Sequence, residues 1–159
     1  SIGKIVDQIV TNIKKYERDP DYKYILNLKD YIGLKNILFP DKKYTLYRGL
    51  LLNKDSFDID YHRKQGVFKS KNPQTSWTTN IKQVESFAKG FTSHMSQSKL
   101  RDYNFGLVLK YVPSVNEILY DFQYMEDEYD IYSGFSEDEV ICIPKAKKFK
   151  IVRIIEHEI

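Results

Sequence analysis

Glu137-Asp138-Glu139 places two carboxylates two residues apart, just ahead of the apolar run Val140-Ile141-Cys142-Ile143. In extended chain alternate side chains share a face, so Glu137 and Glu139 point the same way, roughly 6–7 Å apart at ~3.3 Å per residue. That spacing leaves room for a small reacting centre. Two acids beside apolar chain suit the cleavage of a sugar bond, in which one carboxylate stabilises a developing oxocarbenium ion while the other handles a proton. Two upstream clusters could hold a substrate against them. Arg48-Gly49 offers a planar fork of donors that matches a diphosphate. Ser76-Trp77-Thr78-Thr79-Asn80 brings hydroxyls that can hold a ribose and brace their neighbours. Taken singly, each cluster has a plain structural reading: an arginine at a strand edge, a helix cap, a solvated acidic loop.

The elements that must position these residues follow from hydrophobic periodicity. Ile2, Ile5, Val6, Ile9, Val10, Ile13 and Tyr16 recur at helical spacing and predict an amphipathic helix over 2–17, stopped by Asp19-Pro20-Asp21. A second helical pattern runs through Tyr24, Ile25, Leu28 and Ile32 and ends before Phe39-Pro40. From Tyr44 the texture alternates, with Tyr44, Leu46, Arg48 and Leu50 on one face, which is strand-like. Residues 53–65 read as a short helix or loop ending near Gln65-Gly66, and Val67-Phe68 as the start of a short strand. The hydroxyl cluster leads into a helix through Val84, Phe87, Ala88 and Phe91, with Asn80 placed to cap it. Residues 92–104 read as a loop. Strands follow over 105–112 and 117–120, then an irregular acidic stretch over 126–130. The strand 139–143 comes next, and a hairpin return through Pro144-Lys145-Ala146-Lys147 leads into 149–155. Helices first and antiparallel strands later predict an α+β domain.

The 159 residues suffice for one domain and one core. With 25 basic and 22 acidic residues the net charge of +3 does not by itself select a nucleic acid or a membrane surface. One cysteine, Cys142, rules out an internal disulfide, and the scattered His62, His94 and His157 leave no zinc spacing. A reducing compartment and no metal are the expectation. No apolar stretch has the length of a signal peptide or a membrane span, so a cytoplasmic setting without a membrane partner is expected. The 13 tyrosines suit strands as well as contact surfaces.

Taken together and in order, the three clusters supply what cleavage of a nicotinamide dinucleotide needs. Tyr47-Arg48-Gly49, then Ser76-Trp77-Thr78-Thr79-Asn80 with Glu85, Phe87 and Ala88, then Glu137-Asp138-Glu139-Val140-Ile141 with Pro144 and Phe149-Lys150-Ile151, resembles the Arg–Ser–Glu class of mono-ADP-ribosyltransferases. The match spans about residues 44–155. The resemblance implies two N-terminal helices (1–40) capping a two-sheet, mainly antiparallel catalytic core (44–159). It implies NAD+ as co-substrate, with Arg48 on its phosphates and the Gly49 backbone on the nicotinamide amide. Ser76, Thr78, Thr79 and Phe87 would line the cofactor site, the family's Ser-Thr-Ser element falling on Thr78-Thr79-Asn80. Glu139 would be the catalytic acid. Glu137 two residues before it resembles the arginine-directed subclass, and Phe135 would sit on the turn that touches the target. The implied partner is a protein of a host or competitor cell, modified by a monomeric phage enzyme or intracellular toxin.

Three other readings compete. A calcium loop fails, because placing Gly134 sixth would put Tyr129 first and Val140 last, where oxygen ligands belong. Lys145, Lys147, Lys148 and Lys150 form one basic patch, and Arg63, Lys64, Lys69 and Lys71 another. Either could hold RNA or be a solvated hairpin face. The transferred group could therefore go to RNA or DNA, although acids near the site would repel a phosphate backbone. A catalytically silent partner-binding domain of the same fold is the remaining alternative.

Overall fold

The computed structural model describes residues 42–53, 58–71, 74–90, 105–130 and 138–157, together with positions 4, 7, 8, 11, 12, 15, 55 and 103. The six N-terminal positions among these have helical backbone. The remainder of the expected helical cap over 1–40, the loop over 92–104 with few exceptions, Phe135 and Glu137 lie outside the described residues.

The described chain is α+β. Strand β1 (Leu46–Leu52) is followed by helix α1 (Ile59–Gln65), β2 (Val67–Lys69), β3 (Ser76–Thr78), α2 (Ile81–Ala88), β4 (Phe105–Tyr111), a 3-10 turn (Val115–Glu117), β5 (Ile118–Asp121), α3 (Phe122–Tyr129), β6 (Glu139–Cys142) and β7 (Lys148–Glu156). Each helix has a local cause. The Asp58 carboxylate accepts from the Tyr61 N–H at 3.1 Å to start α1. Gly66 ends it at φ 68, a left-handed conformation that glycine adopts without the Cβ clash. Asn80 caps α2, as its side-chain type predicts. Asp121 caps α3, so the stretch expected to be irregular is helical through Tyr129.

All seven strands pair antiparallel in one sheet of order β2-β7-β4-β1-β3-β6-β5. This corrects two expectations. Strands β6 and β7 are not a hairpin, since β7 pairs with β2 and β4 while β6 lies between β3 and β5. Nor are there two separate sheets among the described residues, because Tyr47↔Thr78 joins β1 to β3. That join is a single residue pair, and the sheet bends there. Three strand intervals separate β3 from β7, ~14 Å in a flat sheet, yet the Trp77 and Phe149 rings lie 5.2 Å apart. The β3-β6-β5 half has folded over the β2-β7-β4-β1 half.

The core fills the concavity. Trp77, 2% exposed, packs with Leu46, Leu107, Leu109, Ile118, Val140, Cys142 and Phe149, drawing on both halves. Tyr111 meets Phe149 edge-on at 5.3 Å, an arrangement that the ring quadrupoles favour. The six-residue clasp between β4 and β5 is held by Glu117, 6% exposed. Its carboxylate accepts from the Tyr111 hydroxyl, the Ser114 N–H and hydroxyl, and the Lys145 N–H that follows β6. Burial opposes charge on Glu117, but these donors together outweigh it and hold the carboxyl below its usual range. Burial and the Glu117 carboxylate in turn push the Tyr111 hydroxyl well above its ordinary range.

Helix α2 lies on the outer face over β1 and β4, with Val84, Ala88 and Val108 as a second small core. Contact is close at Gly106, where an added Cβ would lie 1.8 Å from the Ala88 carbonyl oxygen. The His157 ring fixes this end of the helix between the carbonyls of Ala88 (2.6 Å) and Tyr103 (2.9 Å).

Gly106→Ala should therefore lower stability by about 2–3 kcal/mol in urea unfolding, since one methyl must displace helix backbone rather than a side chain. Glu117→Gln should cost about 2 kcal/mol, because charge-assisted hydrogen bonds are lost in a buried site. The sign for pH follows from the lowered carboxyl. Its contribution is complete above the ordinary value of 4.5 and is lost as pH falls below that through the folded value. A urea titration at stepped pH should show the wild-type advantage over Glu117→Gln disappear on that acid side.

Candidate functional site

The bend that folds the sheet also makes the site. Strands β1 and β3 pair at Tyr47↔Thr78 and then diverge, so Arg48 and Gly49 stand on one prong of a fork and Trp77 and Ser76 on the other. The Arg48 Nη1 donates to the Ser76 carbonyl at 2.6 Å across that fork. The Ser76 hydroxyl donates to Glu139 Oε1 at 2.7 Å. Thus residues 48, 76 and 139, distant in sequence, form one hydrogen-bonded chain from β1 through β3 to β6. Arg48, Ser76 and Glu139 are each half-buried, and the Arg48 Nε lies on the buried side.

Strand register explains why the serine meets the acid. Thr78 pairs with Glu139 and Ser76 with Ile141, so the side chains of Ser76, Thr78 and Glu139 stand on one face. Two neighbours of Ser76 are tied to Asp138, Thr78 through its hydroxyl and Thr79 through its backbone. Thr78 Oγ1 donates to the Asp138 carbonyl at 3.1 Å and accepts from the Asn80 N–H. The Thr79 N–H also reaches the Asp138 carbonyl, at 3.2 Å. Asn80 accepts from the Lys82 and Gln83 N–H groups and donates to the Asp138 carboxylate at 3.3 Å. Thr78, Thr79 and Asn80 therefore tie down the entry to β6, while the Ser76 hydroxyl bonds Glu139. Asparagine at position 80 suits this arrangement, since one amide caps a helix with its oxygen and holds an acid with its nitrogen.

Gly49 and Phe87, expected as cofactor contacts, are brought together. A Cβ on Gly49 would lie 2.9 Å from Phe87 Cδ1 and 3.2 Å from the Val84 carbonyl oxygen, so only glycine lets α2 approach β1 here. The Phe87 ring, 37% exposed, leaves an apolar surface beside the fork. Phe135 and Glu137 lie outside the described residues.

Sequence reading missed two buried acids. Glu117 was signalled by Ser114-x-x-Glu117, a capping-box pattern at the 3-10 turn. Asp121, 2% exposed, accepts from Tyr44 at 2.7 Å and pairs with Lys42 at 3.0 Å. Both acids serve the frame rather than the fork. Burial, then the Asp121 charge, pushes the Tyr44 hydroxyl far above its ordinary range, so Tyr44 remains a donor.

A shallow groove of about 290 Å³ lies at the other end of the sheet, lined by His62, Arg63, Gly66, Arg153 and Ile151 among others. None of Arg48, Ser76 or Glu139 lines it, and its two arginines are engaged by Glu156 and Glu85. The chemistry of the fork therefore outweighs the volume of the groove. Among the described residues no group of His, Cys, Asp or Glu is arranged to hold a metal, and no helix is long and apolar enough to cross a membrane. No protein-family model, curated protein or solved structure matches the chain.

Asn80→Ala should lower the melting temperature, with a loss of about 1 kcal/mol for the cap. Asn80→Asp should restore the cap but set a second carboxylate against Asp138. Thermal unfolding of the pair at low and high salt separates these effects, because only the aspartate variant should gain stability as salt screens the repulsion.

Proposed function

We propose that the chain is an NAD+-dependent mono-ADP-ribosyltransferase that moves ADP-ribose to an arginine of a target protein. What supports the reading is one observation: at a fork between strands Ser76 links Arg48 and Glu139, its backbone carbonyl accepting from the Arg48 guanidinium and its hydroxyl donating to the Glu139 carboxylate. A guanidinium and a carboxylate at the two ends of such a link match the two ends of a dinucleotide, an anionic diphosphate and a ribose that becomes cationic. Both groups sit on strands, so their separation is set by the sheet rather than by a loop.

In this reading Arg48 pairs with the diphosphate in fork geometry. Glu139 accepts a hydrogen bond from a ribose hydroxyl and stabilises positive charge at the anomeric carbon as the bond to nicotinamide breaks, the electron pair leaving with nicotinamide. Ser76 orients Glu139. Phe87 offers an apolar wall beside Gly49. Glu137 aligns the acceptor guanidinium and takes its proton as the new carbon–nitrogen bond forms. A cytoplasmic protein of a host or competitor cell is the target class that goes with this reading.

The test is incubation with NAD+ labelled in the adenylate phosphate, with an arginine-rich acceptor protein, and separation of labelled protein from free ADP-ribose. Glu139→Gln preserves shape and removes charge, so transfer and hydrolysis should both fall by about 10²–10⁴-fold. Glu137→Gln should lose transfer to arginine while hydrolysis persists. Near-normal turnover by Glu139→Gln overturns the assignment.

A further inference from the structure

The two basic patches separated in sequence become one surface when β2 pairs with β7. Lys69 stands directly opposite Lys148, and Lys150 lies between Val67 on one side and Lys110 of β4 on the other. Paired residues share a face of the sheet, and Lys148 and Lys150 alternate with the buried Phe149. All four lysines therefore project from the outer, convex face. The Ser70 N–H donates to the Lys147 carbonyl at 2.9 Å, which brings Lys71 and Lys147 to the rim of the same surface. Five of these six lysines are exposed and Lys110 is half-buried.

The arrangement has no compensation among the described residues. None of the six lysines is in an ion pair there, the pairs being Lys42–Asp121, Arg63–Glu156 and Arg153–Glu85. Glu85, the acid that α2 brings to this face, is engaged by Arg153 at 3.3 Å. Like charges directly opposite one another across strands are destabilising. Lysine on a short edge strand such as β2 guards against edge-to-edge pairing. That explanation covers Lys69 and stops there, because Lys110 and Lys150 belong to strands with partners on both sides. At the opposite end of the strand order, α3 carries Glu126, Asp127 and Glu128, and Asp138-Glu139 open β6. Charge is thus segregated along the strand order, basic at β2-β7-β4 and acidic at β6 and α3.

We propose that the convex face of β2-β7-β4 binds the phosphate backbone of a nucleic acid without regard to sequence. Lysine is the flexible, strongly hydrated point charge suited to phosphates, and a set of lysines spaced along and across strands meets a repeating anion. Rungs of the sheet place Lys110 and Lys150 in line with Tyr47, Thr78 and Glu139. Lys110 stands three strand intervals from Glu139 along that rung and on the other side of the bend at Tyr47↔Thr78, so a polyanion can dock on the lysines without meeting the acid. The inference stands apart from the transferase reading, because it concerns binding and holds with Glu139 replaced.

The test is fluorescence anisotropy with a labelled 20-nucleotide single strand of mixed sequence, titrated at several salt concentrations. Wild type should bind, with log K falling linearly in log salt. The triple variant Lys69→Gln/Lys148→Gln/Lys150→Gln should weaken binding at least about tenfold and reduce the slope by about 2, at ~0.7 per lost phosphate contact on a single strand. Replacing the same three residues with arginine should preserve both. The control Lys42→Gln, at the Asp121 end of the sheet, should change neither, and unfolding curves should show all variants folded, since the substituted side chains are exposed. The proposal is overturned if wild type fails to bind at about 50 mM salt or if the triple variant keeps its affinity and slope. Equal losses in the Lys42 control, or tighter binding of vesicles containing phosphatidylserine or of polyglutamate than of the strand, also overturn it.

Discussion

A single strand pair, Tyr47↔Thr78, carries the junction between two halves of the sheet, and the rest of the architecture depends on it. Were β1 and β3 paired along their length, the sheet would extend flat and Trp77 could not reach Phe149. Because pairing stops after one position, β3 turns its buried indole into the concavity where it meets aromatic rings from β4 and β7. Burying a side chain of this size contributes roughly 2–3 kcal/mol, and the bend that permits it leaves backbone of both strands beside Arg48 and Ser76. The core and the fork thus have a common cause.

Polar groups inside this frame are sorted by use. Glu117 and Asp121 are deeply buried and surrounded by donors, which is what a buried polar group needs if it is not to destabilise the fold. Glu139 is held by one side chain, that of Ser76, and stays partly open. The contrast separates acids that knit strands from an acid that can act on a ligand. Arg48 bridges the fork by its Nη1, so the same guanidinium that would meet a ligand also spans the two prongs.

Much was legible in the chain. Alternation located β1, the Asn80 cap located α2, and Gly66 marked the end of α1. Of the candidate residues, Arg48, Ser76 and Glu139 converge. Other expectations failed for physical reasons. The Pro144–Lys147 stretch has the composition of a hairpin turn, yet its strands part because Phe149 is drawn to Trp77 and Tyr111 in the core. The acidic residues 126–130 contain no strong apolar stripe, but Asp121 caps them and Phe122 and Met125 bury one side, so a helix forms. Thr78-Thr79-Asn80 is rich in hydroxyl and amide groups, and only the folded geometry shows that Thr78 and Asn80 bond Asp138 while Ser76 bonds Glu139.

By itself the sequence determined which residue types were available for chemistry and where most strands and helix starts fall, because periodicity and capping are local. It could not determine which strands become neighbours. Pairing order arises from contacts between residues far apart in the chain, driven by burial of one shared core. That order alone decided that Arg48 and Glu139 both bond to Ser76, that Thr78 bonds the Asp138 carbonyl rather than the Glu139 carboxylate it stands beside, and that Lys69, Lys110, Lys148 and Lys150 form one face.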